Sequence, residues 1–505
     1  MISSKKDSFL QAFKNGKNFI PVYKSWPADL ETPLTTWLKL SQENTHGVFL
    51  ESVEGGEHIG RWSIVANNPL WEANCLGDKT TKVSRNGKKE TKKGDVFNLL
   101  RNWSNEYISC RLEEFPFIGQ LYGCWGYELI NYIEPSVPIH KINKQKIPYG
   151  SWMFFDQIII FDQMKRCITA LVYADIKEMQ GLTIEEIYEN SLKKINTIKQ
   201  TMQVPLREVD ILNWKQKKDL NIDISTNWKK EEFQDAVIKA KEFIKKGDIF
   251  QIVISQKFET QVRSKPFDLY RSLRMINPSP YMAFFDFGSW YLIGSSPEVM
   301  VKAEKKKNNQ IKASLRPIAG TRPRGSDPEM DLELEKELLS DPKERSEHVM
   351  LVDLGRNDLG RVCETGSVHV KDLMIIEKYS HVMHIVSEVQ GLLKEDKDVW
   401  DLLKASFPAG TVTGAPKIRA MQLIQSFEKE ARGPYAGVYG SVDINGSLNT
   451  AITIRSMIAV PVNDGSIVVS VQAGAGIVAD SSPSKEYQET INKAKGILMA
   501  ISSLD

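Results

Sequence analysis

Two pairs of glutamates carry the plainest chemistry in this sequence. Glu344 and Glu347 lie in Asp341-Pro342-Lys343-Glu344-Arg345-Ser346-Glu347-His348. Their spacing of three sets both carboxylates on one face of a predicted helix over 343–354. Glu486 and Glu489 repeat the spacing on a predicted helix over 485–502, with Lys493 one turn further on. Should the two helices face each other, four carboxylates would make a hard oxygen site suited to Mg2+. The plainer alternative is a pair of solvated helix faces with ordinary salt bridges, and spacing alone favours it.

Two glycine-bearing segments and one arginine point towards an anion. Gln472-Ala473-Gly474-Ala475-Gly476-Ile477 follows a strand-like run. As a turn it could close backbone N–H groups on a negative charge without Cβ interference. It lacks the third glycine and the following helix of a dinucleotide fingerprint. Ile318-Ala319-Gly320-Thr321-Arg322-Pro323-Arg324-Gly325 offers a hydroxyl and two arginines beside a glycine. Taken singly, each is more often a plain turn. Arg455 sits inside the strand-like Ala451-Ile452-Thr453-Ile454-Arg455-Ser456-Met457. A guanidinium there is costly to bury unpaired, so it meets a protein carboxylate or an anionic ligand. The sequence leaves both open.

Other chemistries are poorly served. His381 and His384, in Tyr379-Ser380-His381-Val382-Met383-His384, are too sparse for a zinc signature. Neither a Gly-x-Ser-x-Gly elbow nor a Walker loop occurs. Gly123-Cys124-Trp125-Gly126 has Tyr122 two places before the cysteine, so it is not the Gly-x-Cys-x-Gly elbow of a glutamine amidotransferase.

These residues need elements to position them. Strand-like runs fall at 48–50, 151–161 and 167–173, and a Glu- and Lys-rich helical pattern at 184–202. Residues 201–229 are polar and charge-rich, which divides the chain into expected domains 1–205 and 228–505. Asn227 reads as the N-cap of a helix carrying Phe233, Ala236, Val237, Ala240, Phe243 and Ile244 at apolar positions, stopped by Gly247. Residues 249–258 alternate as a strand, with Phe250, Ile252, Ile254 and Phe258 on one face and Gln251, Val253 and Ser255 on the other. Further strands are expected at 281–287, 290–294, 451–460 and 467–472, and helices at 332–339, 400–405 and 417–428. Runs of strands followed by runs of helices predict an α+β fold with a large, mainly antiparallel sheet.

The bulk properties exclude several classes. A chain of 505 residues exceeds one ordinary core. Lys and Arg total 66 against 64 Asp and Glu, and a net charge of +2 gives no reason to expect nucleic acid or an anionic membrane as partner. No apolar run approaches the roughly eighteen residues that cross a bilayer, and the opening residues lack a signal peptide's apolar core. Five scattered cysteines, none in a CxxC pair, read as free thiols in a reducing compartment. A soluble, cytoplasmic enzyme is the expectation.

Six segments between 228 and 495 carry a family resemblance: Asp248-Ile249-Phe250-Gln251, Gly294-Ser295-Ser296-Pro297-Glu298, Pro317-Ile318-Ala319-Gly320-Thr321-Arg322, residues 343–358, Gly414-Ala415-Pro416-Lys417, and residues 472–476. In this order they resemble the chorismate-utilising enzymes. Phe49-Leu50-Glu51-Ser52 and Gly60-Arg61-Trp62-Ser63 resemble the regulatory half of the anthranilate synthase component I branch. The resemblance implies large, mainly antiparallel β-sheets with helices packed outside. It implies Mg2+ held by Glu347 and Glu489, with Glu344 and Glu486 in the same region. Gly320, Thr321, Tyr435, Arg455, Gly474, Ala475 and Gly476 match chorismate-contacting positions, Arg455 and Tyr435 on the enolpyruvyl carboxylate. Glu298 matches a general acid for the departing C4 hydroxyl, a role that needs a neutral, buried carboxyl. His384 and Thr411 match positions near that hydroxyl.

Two positions discriminate within the family. Members that add water carry a lysine where this chain has Gln251, and a glutamine cannot act as a base. Aminodeoxychorismate synthases, the nearest rival reading, typically carry a nucleophilic lysine where Ala319 stands. Both residues favour direct addition of ammonia, then loss of pyruvate to give anthranilate. With no amidotransferase elbow in the chain, the resemblance implies a separate glutamine amidotransferase subunit, component II, in a heterotetramer. Glu51, Ser52, Pro280, Tyr281 and Met282 match a tryptophan feedback site between the domains. A non-catalytic binding subunit would be expected to have lost Glu298, Glu347, Arg455 or Glu489, and all four are present.

Overall fold

Strands buried on both faces decide the architecture. In Cys167–Asp175, residues Ile168, Ala170, Val172 and Ala174 enter one apolar cluster while Leu171 and Tyr173 enter another. Val48 and Phe49 divide in the same way. Such a strand reads as an unbroken apolar run, and two runs can merge in the sequence. Residues 151–161 are in fact two strands, Gly150–Phe154 and Gln157–Asp162. Residues 451–460 are likewise shared between Leu448–Ile452 and Ser456–Pro461. The computed structural model describes residues 3–504 apart from 42–45, 53–59, 116–117, 141–145, 180, 209–210, 218, 221 and 380–381. Ser380 and His381 therefore lie outside the described residues.

Two large sheets result, and every pairing among the described residues is antiparallel. The first runs, in spatial order, Phe19–Pro27, Cys167–Asp175, Gln157–Asp162, Trp62–Asn67, Gly47–Glu51, Tyr281–Asp286, Tyr291–Ser296, Ser456–Pro461, Ile467–Ile477, Gln251–Val262 and Ser225–Thr226. The second runs Ile318–Pro323, Val382–Leu392, Ile311–Leu315, Val299–Lys305, Leu448–Ile452, Val438–Val442, Leu121–Trp125, Gly150–Phe154, Trp71–Leu76, Lys79–Ser84 and Lys89–Lys93. Both sheets cross the polar segment of the sequence. Gly47–Glu51 pairs with Tyr281–Asp286, and Leu121–Trp125 with Val438–Val442.

The facing sides of the sheets close on one cluster, where Trp71, Tyr122 and Trp152 of the second meet Val48, Phe285 and Leu292 of the first. Helices cover the outer side of the first sheet. Pro483–Ser502 packs on Ile467–Ile477, and Ile184–Met202 on Cys167–Asp175. The latter has its expected bounds, set by a reciprocal cap between Thr183 and Glu186. Lys230–Lys245 begins later than expected, with Lys229 at the N-cap. Asn227 instead accepts the N–H of Lys257 at 2.8 Å. Phe250, expected on one strand face with Ile252, Ile254 and Phe258, is 71% exposed, because it precedes the strand Gln251–Val262.

Candidate active site

Strand ends from both sheets and two helices surround a cleft of about 1020 Å3. Glu298, Thr321, Glu347, His384, Thr411, Tyr435, Arg455, Gly474 and Gly476 all line it. Gln251, Ala319 and Lys493 line it as well.

Arg455 is not inside a strand. It follows Leu448–Ile452 and precedes Ser456–Pro461, with φ at 50°. A non-glycine residue rarely takes that left-handed conformation, and here it accompanies a guanidinium placed on the cleft wall. Burial lowers the pKa of this arginine. Its Nη1 donates to the carbonyl of Lys493 at 2.9 Å, and no carboxylate among the described residues forms an ion pair with it. The remaining donors are left for an anion in the cleft.

Residues 472–477 are not a turn. They end the strand Ile467–Ile477, where Gly474 sits opposite Ser255 and Gly476 opposite Val253. The glycines act here by lacking a side chain. A Cβ at position 474 would lie 2.6 Å from Tyr435 Oη, and one at 476 would lie 2.9 Å from Gln251 Nε2. Ala475, between them, points away into the cluster of Ile252, Ile254 and Phe233.

Gly320 and Thr321 also lie in a strand, Ile318–Pro323, whose register against Val382–Leu392 shifts between Ala319 and Thr321. Arg322 and Arg324 turn to Glu337, Asp341 and Asp331 instead of the cleft. The Gly320 carbonyl lies 3.0 Å from His384 Nδ1. A carbonyl only accepts, so Nδ1 carries the proton and Nε2 the lone pair of the neutral ring. Burial lowers the imidazole pKa, which favours that neutral form.

Glu298 stands where the chain crosses from Tyr291–Ser296 in the first sheet to Val299–Lys305 in the second. Its carbonyl accepts the N–H of Ile452 at 3.0 Å, which fixes the crossing. Burial pushes its carboxyl up to about 8, against the opposing pull of the Thr411 hydroxyl and the Lys493 charge. The group is a neutral acid near pH 7.

The glutamate pairs flank the same region without merging. Glu347 accepts Gln251 Nε2 at 3.0 Å, and Glu489 pairs with Lys493 Nζ at 2.6 Å. Burial and then the Glu347 charge raise the Glu344 pKa, and burial together with the Glu489 charge raises that of Glu486. Among the described residues no three His, Cys, Asp or Glu side chains converge on one point. A hard cation that takes one or two protein carboxylates, with substrate and water completing its shell, fits this donor set. Crowded like charges at Glu344 and Glu347 are what such a cation relieves.

A second cavity, of about 850 Å3, is lined by Glu51, Ser52, Pro280, Tyr281, Met282 and Tyr439 among others. The Glu51 carboxylate is held by Arg274 and by the Tyr270 hydroxyl. Ser52 Oγ is buried there and has no hydrogen-bond partner among the described residues.

Lys493 is the cleft residue that sequence reasoning noticed but gave no role. Its Nζ donates to the Gly474 carbonyl at 2.9 Å. The signal was available, since it lies one turn beyond Glu489 on the same helix face.

Fold and cleft together define an enzyme site for a small, carboxylate-bearing substrate. The model of the chorismate binding enzyme family matches residues 60–499. An anthranilate synthase component 1 from Synechocystis sp. is 51% identical over 509 residues, covering 100% of both chains. Another, from Acetivibrio thermocellus, is 43% identical over 490 residues, covering 96% of this chain and 95% of its own. The crystal structure of anthranilate synthase component I from Streptococcus pneumoniae superposes with a TM-score of 0.74 at 37% identity, covering 87% of this chain and 92% of that one. The chain belongs to the chorismate binding enzymes, on their anthranilate synthase component 1 branch. No helix among the described residues is long and apolar enough to cross a membrane.

Proposed function

We propose that the chain is the large subunit of an anthranilate synthase, converting chorismate and ammonia into anthranilate, pyruvate and water. The observation that carries this reading is one cleft holding both a neutral buried acid, Glu298, and a buried arginine, Arg455, that forms no ion pair among the described residues.

Arg455 and the Tyr435 hydroxyl hold the enolpyruvyl carboxylate, with Gly320, Thr321, Gly474, Ala475 and Gly476 shaping the surrounding backbone. Glu347 and Glu489 would hold Mg2+, with Glu344 and Glu486 behind them. When bound, the ion supplies charge neutralisation and orientation for the ring carboxylate. Glu298 gives its proton to the C4 hydroxyl, which leaves as water while the ammonia nitrogen bonds to C2. Gln251 Oε1 is buried with no partner among the described residues and Nε2 is tied to Glu347, so that oxygen is an acceptor for ammonia N–H. Loss of the C2 proton then breaks the C3–O bond, the enolpyruvate methylene takes up a proton, and the ring becomes aromatic. His384 Nε2 and Thr411 lie on the wall where these protons move.

Ammonia would come from glutamine through a separate amidotransferase subunit, component II, in a cytoplasmic heterotetramer. Tryptophan would bind in the cavity at Glu51, Ser52, Pro280, Tyr281 and Met282, with residues 1–205 acting as the regulatory part. Reciprocity then requires chorismate to weaken tryptophan binding.

The test uses the purified chain with chorismate, Mg2+ and an ammonium salt, followed by anthranilate fluorescence. Anthranilate should form, stop with chelator, and be suppressed by tryptophan. Glu347→Gln should abolish turnover with the fold intact. Consumption of chorismate to a para-amino product would place the chain with the aminodeoxychorismate synthases instead.

A further inference from the structure

Behind the cleft lies a buried ion pair that the reaction does not use. Arg432 and Glu428 are 3% and 5% exposed. Nε and Nη2 of Arg432 donate to the two Glu428 oxygens at 2.8 and 2.7 Å. Taking both charges out of water is costly, and an apolar pair of similar volume often holds a fold as well or better. Fold stability is thus a weak reason for the pair to be here. Its other bonds run to the cleft walls. Nη1 donates to the carbonyl of Val412, beside Thr411, at 2.8 Å, and Nη2 to the carbonyl of Val253 at 2.8 Å. The guanidinium stands 5.5 Å from the centroid of the Tyr435 ring. Glu428 Oε1 accepts both the N–H and the hydroxyl of Ser255, and that hydroxyl accepts from Gln472 Nε2 at 2.8 Å. Val253, Val412, Tyr435 and Gln472 all line the cleft, and Arg432 does not.

A second carboxylate, from the first half of the chain, fixes the backbone of this arginine. The two oxygens of Glu128 accept the N–H groups of Arg432 and Gly433 at 2.8 and 3.0 Å. The Gly433 carbonyl in turn accepts the N–H of Tyr127 at 2.8 Å. Glu128 is itself only 2% exposed. The stretch that leads into Tyr435 is therefore clamped from one side by its own half of the chain and from the other by Glu128.

We propose that Arg432, through Glu428, is a positioning residue for the chorismate cleft, setting Tyr435 and the Gly410–Val412 turn, and that Glu128 extends this role to the first half of the chain. The proposal rests on the reading of the cleft as the reaction site. A planar guanidinium can bond three separate main-chain and carboxylate partners in fixed directions, which neither a lysine nor an apolar side chain reproduces. Displacing the walls of a reaction site by an ångström costs on the order of a hundredfold in rate. The first half of the chain is then part of the catalytic unit, and not only a regulatory attachment.

The experiment removes both charges together, as Arg432→Met with Glu428→Met, so that neither is left buried and alone. The thermal midpoint should stay near that of the parent, while kcat at saturating chorismate and ammonium falls at least about tenfold and KM for chorismate rises. A folded double variant with kcat and KM both within about twofold of the parent overturns the proposal. If the double variant does not fold, Glu128→Gln carries the test. It keeps one acceptor, turns an NH2 towards the second N–H, and creates no buried charge. Its kcat should fall several-fold at an unchanged thermal midpoint, and parent-like kcat and KM would overturn the proposal. A parent chain that makes no anthranilate overturns the reading of the cleft first, and the proposal with it.

Discussion

Replacing Glu298 by glutamine separates the cost of this acid from its use. The carboxyl is 9% exposed, and burial raises it from 4.5 to about 8. Between those values the folded protein keeps a proton that the unfolded chain releases. Its contribution to stability is complete below about pH 4.5 and is lost as pH rises through about 8. At about 1.4 kcal/mol for each pH unit, the loss grows by about 3 kcal/mol between pH 5 and pH 8. Glu298→Gln cannot ionise and escapes it. Denaturant titrations of both proteins should show the variant gaining on the parent by about that amount over the interval. Comparing the two across pH cancels any constant effect of the amide. Turnover moves the other way: loss of the acid should lower kcat by about 10^2- to 10^4-fold. In the parent, kcat/KM should fall on the alkaline side of about pH 8, as the acid loses its proton. A stability difference that stays flat with pH would show that Glu298 ionises normally, and the assignment as acid would fail.

Three further outcomes test the site. Arg455→Met removes a guanidinium that has no ion-pair partner among the described residues, so the fold should tolerate it while chorismate KM rises roughly 10- to 100-fold; unchanged KM in steady-state assays would refute the carboxylate role. Gly474→Ala puts a methyl 2.6 Å from Tyr435 Oη and 2.8 Å from Val253 Cγ1, and should weaken chorismate binding at a cost of about 1–3 kcal/mol in stability; calorimetry showing parent-like affinity would contradict the crowding. Ser52→Ala removes a hydroxyl in the second cavity that has no partner among the described residues, and should raise the tryptophan concentration for half-inhibition about tenfold with kcat unchanged; equal sensitivity would move the inhibitor elsewhere.

Much of the cleft is legible because its signals are local. Spacings of three and four residues place Glu344 with Glu347, and Glu486 with Glu489 and Lys493, on single helix faces whatever the tertiary fold. The Thr183 and Glu186 cap is likewise complete within four residues, and the helix Ile184–Met202 has its expected bounds. Segments 318–325 and 472–477 were harder to read. Both were expected as turns because glycine is commonest there, yet residues 318–323 and 472–477 belong to strands, where Gly320, Gly474 and Gly476 make room for a neighbour. For Gly474 and Gly476 that neighbour is Tyr435 and Gln251, and for Gly320 it is the side chains of Leu338, Glu344 and Ile385, none of which lies within the local pattern.

By itself, the sequence determined the family, the α+β class with antiparallel sheets, most helices, and which carboxylates share a face. These depend on residue types and short-range periodicity, which the backbone geometry of helix and strand imposes directly. Only the tertiary structure decided that both sheets run through both halves of the chain, that Arg455 sits at a left-handed break with its donors turned to the cleft, and that Glu298 is buried enough to stay protonated. It also decided that Glu128 clamps Arg432 across 304 positions of sequence. Burial, desolvation and unmatched charge are properties of what surrounds a side chain in space, and that surrounding exists only once the chain has closed on itself.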